Sequence, residues 1–151
     1  GIPPITAFMH GGEQENGFRA GTLAVHNIVG FGKAAEIALR DLAANETRIL
    51  SLDQMFVAGV AAIPAISLTN KSDNRLPGII SIVVNKKDFN NERFIKRISD
   101  KFALSTGSAC SAGEPSYVLE NKVSKVLRIS LNKYTTEEEV NQLIKILREE
   151  L

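Results

Sequence analysis

The chain has 151 residues, of which 44% are hydrophobic and 23% charged, a composition typical of a soluble globular domain. Its 18 basic and 17 acidic residues give a net charge of +1, which argues against a nucleic-acid or membrane-surface partner. The single cysteine excludes an internal disulfide and a zinc site built from cysteines, and it favours a reducing, cytoplasmic setting. The sequence also shows no apolar run typical of a transmembrane helix and no recognisable signal peptide.

The first 61 residues predict a loop followed by helix. Prolines and glycines interrupt residues 1–21, so this part is predicted to be a loop. Apolar and small residues then recur at helical spacing from Leu23 to Leu42, and a second helical segment is predicted over about 46–61. Thr22 is expected to cap the first of these helices.

The remaining residues predict strands mixed with helices. Runs rich in β-branched residues indicate strands, and apolar residues at a period of 3.6 indicate helices. The last helix has two overlapping capping-box candidates, since Thr135 and Thr136 each precede a glutamate by three residues. We therefore expect an α+β fold in which helices pack on one face of a small, mostly antiparallel sheet. The predicted strands are 65–70, 79–84, 102–104 and 126–131, and the helices are 90–101, 114–120 and a last one whose apolar stripe runs from Val140 to Leu151.

The only cysteine, Cys110, lies in the stretch ALSTGSACSAG at 103–113. A lone cysteine is most often a buried and inert side chain. Here the neighbouring residues are small, and glycines lie three residues away on each side, which is more typical of a loop that can expose a thiol. Cys110 is therefore a candidate nucleophile, and any base that activates it must come from the fold or from a ligand.

Two further residues are candidates for binding anions. Arg128 stands in an otherwise apolar strand, where it either faces solvent or binds a carboxylate through its planar guanidinium. Thr22, beside Gly21 and ahead of a helix, is suited to a phosphate. His10 and His26 lack metal-ligand spacing, so structural roles are expected for both and no metal site is predicted.

Six stretches of the sequence match one family when they are taken in order: residues 10–15, 19–22, 75–78, 103–113, 114–119 and 128–139. Together they resemble the C-terminal part of the cysteine desulfurases of the iron–sulfur-supply branch. These are pyridoxal-phosphate enzymes of the class V aminotransferase-like group. The resemblance spans nearly the whole chain, and the set is more specific than any one of its members.

The resemblance implies a role for each candidate residue. Cys110 would attack the sulfur of cofactor-bound L-cysteine and carry it as a persulfide while alanine is released. Arg128 would hold the substrate carboxylate, and Thr22 would contact the phosphate of pyridoxal 5'-phosphate across a homodimer interface. The sulfur would then pass to an acceptor or scaffold protein that the sequence does not identify.

The resemblance also implies a domain division. Residues 1–22 would carry the loop and the cofactor-phosphate motif, and residues 23–151 the C-terminal small domain of fold-type I pyridoxal-phosphate enzymes, including the linking helix. The family's cofactor lysine lies upstream of the matching region, so the chain alone is expected to be inactive. Two alternatives remain open: a selenocysteine lyase or class V aminotransferase fragment, and a non-catalytic module for dimerisation or for docking a sulfur acceptor.

Overall fold

A computed structural model of the chain describes residues 5–69, 75–106 and 125–151. The chain divides into two units, Gly1–Leu42 and Ala43–Leu151. The domain division at residue 22 stays a prediction. None of the helices in the described ranges is both long enough and apolar enough to cross a membrane.

The first unit is mostly loop and helix. Met9 and Arg19 form a single parallel β-bridge, and a tight turn over Gln14–Gly17 lies between them. The side-chain oxygen of Gln14 accepts a hydrogen bond of 3.1 Å from the backbone N–H of Gly21, which closes the loop on itself. Ala20 is buried, and the other described residues of this unit are exposed or half-buried.

Helix α1 covers Val25–Ala61 and is one continuous helix of 37 residues. The prediction of two separate helical segments was therefore wrong. The residues between the two predicted segments, Ala43, Ala44 and Asn45, include neither glycine nor proline, so nothing stops the helix there. The prediction of Thr22 as N-cap was also wrong, because the first helical hydrogen bond runs from the Ile28 N–H to the Ala24 carbonyl.

The second unit contains the sheet. Strands β1 (Ile66–Leu68), β2 (Ile79–Val84) and β3 (Val126–Ser130) lie in the order β1-β2-β3, and both neighbouring pairs are antiparallel. The strand predicted at 102–104 is absent from the structure. Instead, Ser105 alone forms a β-bridge to β3.

Two shorter helices complete this unit, α2 (Asn91–Ile98) and α3 (Glu137–Glu150). Of the two capping boxes predicted for α3, the one formed by Thr136 and Glu139 caps the helix. The α+β class with a small antiparallel sheet is confirmed. The helix predicted at 114–120 lies outside the described residues.

The core lies between one face of the sheet and the helices. Side chains alternate along a strand, so every second residue of β2 and β3 faces this core. Gly59 of α1 lies against Ile144 of α3, and a Cβ at Gly59 would overlap the Ile144 side chain. The buried members of the core include Leu52, Phe56, Val60, Ile80, Ile82, Val84, Leu127, Ile129, Val140 and Leu147.

Candidate functional site

Arg128 lies in the middle of β3, on the face of the sheet that points away from the core. Its sequence neighbours Leu127 and Ile129 are buried in the core, so strand alternation directs Arg128 to the opposite face. On β2 its partner is Ser81, which lies on that same face. Arg128 is half-buried. The interpretation of Arg128 as outward-facing on an alternating strand agrees with this placement.

On the edge of β3 that does not pair with β2, Ser105 forms an antiparallel β-bridge with Arg128. The Arg128 N–H donates to the Ser105 carbonyl at 2.7 Å, and the Ser105 N–H donates to the Arg128 carbonyl at 3.2 Å. A directly opposed antiparallel pair places both side chains on one face of a sheet. Accordingly, Nη2 of Arg128 donates to the Ser105 hydroxyl oxygen at 3.0 Å.

The guanidinium of Arg128 forms no ion pair with a carboxylate within the ranges 5–69, 75–106 and 125–151. Its recorded side-chain partner there is a neutral hydroxyl. A half-buried cation in this state can accept an anionic ligand without first losing a protein carboxylate. The geometry is therefore suited to binding a small carboxylate.

Thr22 belongs to the first unit and is exposed. The preceding Gly21 has a φ of 100°, a conformation that favours glycine. Nη1 of Arg19 donates to the carbonyls of Gly21 and Thr22 at 3.2 and 3.4 Å, which holds the backbone at this point. The Thr22 hydroxyl is thus presented to solvent on a fixed turn, and its proposed phosphate contact stays a prediction.

Cys110 lies outside the described residues, and its role as a nucleophile stays a prediction. His10 and His26 are both exposed. Across the described ranges, no group of three or more histidine, cysteine, aspartate or glutamate side chains could hold a metal ion.

An ion pair that the sequence analysis did not identify supports the start of β2. Asp53 of α1 accepts two hydrogen bonds from the guanidinium of Arg75 and a third, of 2.7 Å, from the Gly78 N–H. Gly78 has a φ of 84°, and a Cβ there would lie 2.6 Å from Ile49, so both backbone and space require glycine. The signal in the sequence was an acidic residue, Asp53, placed beside Leu52 and three residues before Phe56, at helical spacing from apolar residues.

The pKa of Arg75 is raised above its ordinary value, chiefly by the hydrogen bonds to Asp53 and also by its negative charge, while partial burial acts in the opposite direction. A cation whose pKa is raised on folding adds stability below its unfolded pKa and loses this contribution as pH rises through the folded value. The arginine therefore keeps this contribution at neutral pH and loses it only in strongly alkaline solution.

A cleft of about 250 Å³ in the second unit lies elsewhere, along α2. Two of its cations already interact with the last residue of α3: Arg97 pairs with the Glu150 carboxylate at 2.6 Å, and Lys86 donates to the Glu150 carbonyl at 3.3 Å. Neither Arg128 nor Ser105 lines this cleft. The cleft is therefore separate from the candidate carboxylate site.

The model of the class V aminotransferase family matches residues 8–143, so the chain belongs to this family. Among curated relatives, the cysteine desulfurase IscS of Aeromonas salmonicida is 36% identical over 155 aligned residues, which cover 97% of this chain and 38% of the relative. The chain thus spans less than two fifths of the length of such relatives.

Two solved structures have the same fold. A NifS-like protein from Rickettsia africae superimposes with a TM-score of 0.80 at 23% identity, over 97% of this chain and 40% of the other. A second NifS-like protein gives a TM-score of 0.78 at 29% identity, over 97% and 38%. The predicted resemblance is confirmed at the level of family and fold.

Proposed function

We propose that this chain supplies the substrate-carboxylate site and the sulfur-accepting thiol of a cysteine desulfurase. Its substrate would be L-cysteine, and its products would be alanine and a protein-bound persulfide. The proposal rests on the state of Arg128, a half-buried cation that donates to a neutral serine on the face of the sheet that points away from the core. The relatives named as cysteine desulfurases support the choice of substrate.

In this proposal Arg128 binds the carboxylate of L-cysteine. A guanidinium has five N–H donors in a planar arrangement, and two of them can bind both oxygens of one carboxylate. The hydrogen bond to Ser105 occupies one donor, and within residues 5–69, 75–106 and 125–151 it is the recorded side-chain contact of the guanidinium. Arg128 thereby fixes one end of the substrate, and its positive charge compensates the negative charge of the carboxylate.

Cys110 is the acceptor of sulfur. Its thiolate attacks the sulfur of the bound cysteine, so that an S–S bond forms and the substrate C–S bond breaks. The electron pair of the broken bond stays with the substrate carbon, which takes up a proton to give alanine. The reaction needs no external oxidant, because the sulfur is transferred as a persulfide while the carbon is reduced.

The family resemblance implies pyridoxal 5'-phosphate as the cofactor, and Thr22 is the described residue suited to contact its phosphate. The hydroxyl is exposed on a turn fixed by Gly21 and Arg19, which fits a donor to a phosphate oxygen. When bound, the cofactor supplies an electron sink that makes the C–S bond labile. The amine that binds its aldehyde is expected from the family's lysine, upstream of the region that this chain matches.

The persulfide would be passed to an acceptor or scaffold protein for iron–sulfur cluster assembly. We expect this to occur in the cytoplasm and in a homodimer of the complete enzyme. The near-neutral charge of the chain gives no indication of a nucleic-acid partner.

The test uses the complete enzyme, in which this chain is present together with the part that binds the cofactor, on the same polypeptide or on a second one. Cys110→Ala should abolish both alanine release from L-cysteine and the persulfide detected by mass spectrometry after alkylation. Arg128→Gln should raise KM for L-cysteine by roughly 10- to 100-fold, since a hydrogen-bonded charge pair contributes about 1.5–3 kcal/mol. Ser111→Ala is the matched control, because it changes the residue next to the thiol and should retain activity.

The outcomes separate the alternatives. Alanine release that survives in Cys110→Ala would favour a selenocysteine lyase, whereas formation of a 2-oxo acid from L-cysteine without alanine would favour an aminotransferase. No persulfide in the unmodified enzyme, together with retained dimerisation or acceptor binding, would favour a non-catalytic module. Turnover of L-cysteine by the 151-residue chain alone would overturn the expectation that the lysine lies elsewhere.

A further inference from the structure

Ser105 lies beside the edge of β3 that does not pair with β2, and three hydrogen bonds join it to Arg128. Two join its backbone to that of Arg128, at 2.7 and 3.2 Å, and the third joins its hydroxyl to Nη2 of Arg128 at 3.0 Å. Both side chains are half-buried. The position of the hydroxyl is therefore set by the backbone, and the hydroxyl in turn restrains the guanidinium.

A serine is well suited chemically to this contact. An arginine side chain has about 2 kcal/mol of rotamer entropy, part of which a ligand must otherwise overcome when it orders the side chain. A neutral hydroxyl can order the guanidinium without cancelling its charge, whereas an aspartate at the same position would neutralise it. The pair therefore combines order with a charge that remains available to an anion.

We propose that Ser105 is a positioning residue, which holds Arg128 in the orientation that binds the carboxylate of the substrate. The inference rests on the proposed function of Arg128 and adds the residue through which its orientation is set. Ser105 acts on the substrate only through Arg128. Its effect should therefore appear in substrate affinity and should disappear when Arg128 is absent.

The first test measures steady-state kinetics of the complete enzyme with L-cysteine. Ser105→Ala should raise KM by about 3- to 10-fold with little change in kcat, since one hydrogen bond is lost. Ser105→Thr keeps the hydroxyl and should stay within about 2-fold of the unmodified enzyme. Ser105→Asp should raise KM by more than Ser105→Ala, because the new carboxylate competes with that of the substrate.

Two controls distinguish positioning from a general structural effect. Ser67→Ala removes the hydroxyl of another half-buried serine of the sheet, one that accepts from Asn85 at 3.1 Å, and should leave KM unchanged. In an Arg128→Gln background, Ser105→Ala should have no further effect on KM. An equal rise of KM in both backgrounds, or a loss of kcat without a change of KM, would overturn the proposal.

A second readout does not depend on activity. In the 151-residue chain, the order parameter of the Arg128 Nε–Hε group, measured by ¹⁵N relaxation, should fall in Ser105→Ala and stay unchanged in Ser105→Thr and Ser67→Ala. An unchanged order parameter in Ser105→Ala would contradict the inference. If the order parameter falls but Arg128→Gln leaves KM unchanged, the proposed carboxylate site fails while the Ser105–Arg128 contact stands.

Discussion

Asp53 is an acidic side chain held inside the second unit. Only 2% of its side chain is exposed, and it accepts from the guanidinium of Arg75 and from the Gly78 N–H. Arg75 keeps 21% of its side-chain surface in contact with solvent. The pair therefore joins α1 to the residues that lead into β2, with the acid in the core and the base at its margin.

Asp53→Asn should lower the free energy of unfolding by about 3 kcal/mol, measured by urea denaturation. Removing one charge of a buried pair costs roughly 3–5 kcal/mol, and the solvent contact of Arg75 favours the lower end of that range. The three N–H groups that now donate to Asp53 would also lose acceptors, because an asparagine side chain has only one oxygen and its NH₂ group is itself a donor.

The matched control is Glu149→Gln, which removes an acid from the ion pair with Lys145 in the same unit. Both side chains of that pair are more than 60% exposed, so solvent screens it, and the variant should unfold at nearly the same urea concentration as the unmodified chain. Equal shifts for Asp53→Asn and Glu149→Gln would show that burial does not determine the strength of these pairs.

Local signals in the sequence predicted some single residues correctly and others wrongly, since the N-cap expected at Thr22 is not formed. The placement of Arg128 followed from its position in an alternating strand, and Thr136 was one of two candidate caps. The contact between Ser105 and Arg128 joins residues 23 positions apart and depends on how the chain returns to the sheet. No periodicity within one segment carries that information, so only the fold could provide it.

At the scale of elements, α3 has its start fixed by a reciprocal cap. The Thr136 hydroxyl accepts from the Glu139 N–H at 3.2 Å, and the Glu139 carboxylate accepts from the Thr136 N–H at 2.7 Å. Both donors would otherwise lack an intrahelical partner. This cap therefore fixes the residue at which α3 begins.

Thr136→Ala should therefore lower the free energy of unfolding by about 1 kcal/mol. Thr47→Ala is the matched control, because Thr47 is exposed within α1 and its hydroxyl only donates back to the Ala43 carbonyl at 3.0 Å. Alanine has the higher helix propensity, so the control should be neutral or slightly stabilising. Destabilisation of similar size in both variants, measured by thermal and urea unfolding, would rule out the capping explanation.

The contrast between α3 and α1 shows what the helical pattern could predict. In α3 the four residues of the central stripe are buried, as its spacing indicates. In α1 the pattern identified helix correctly but placed a break at residues 43–45, where the helix continues. A stripe reports which face meets apolar neighbours, whereas a helix continues until a strong stop: α1 runs through Gly30, Gly32 and Gly59 and ends three residues before Pro64.

At the scale of the whole molecule, the two units differ in how much apolar surface they bury. Ala20 is the buried residue among the described positions of the first unit, whereas the second contains the whole core cluster. The apolar side chains of the first part of α1 are largely exposed, with Phe31 and Leu39 at 77%. Cooperative stability should therefore reside in the second unit.

Hydrogen exchange should reveal this difference within the single helix α1. Residues 25–42 have little tertiary packing, and a helix of that length is marginal in water by itself, so their amides should exchange close to the rate of local fraying. Residues 52–60 carry Leu52, Phe56 and Val60 into the core, and their amides should require nearly global unfolding. Because both stretches belong to one helix, each serves as the reference for the other. Uniform protection along Val25–Ala61 would contradict the assignment of stability to the second unit.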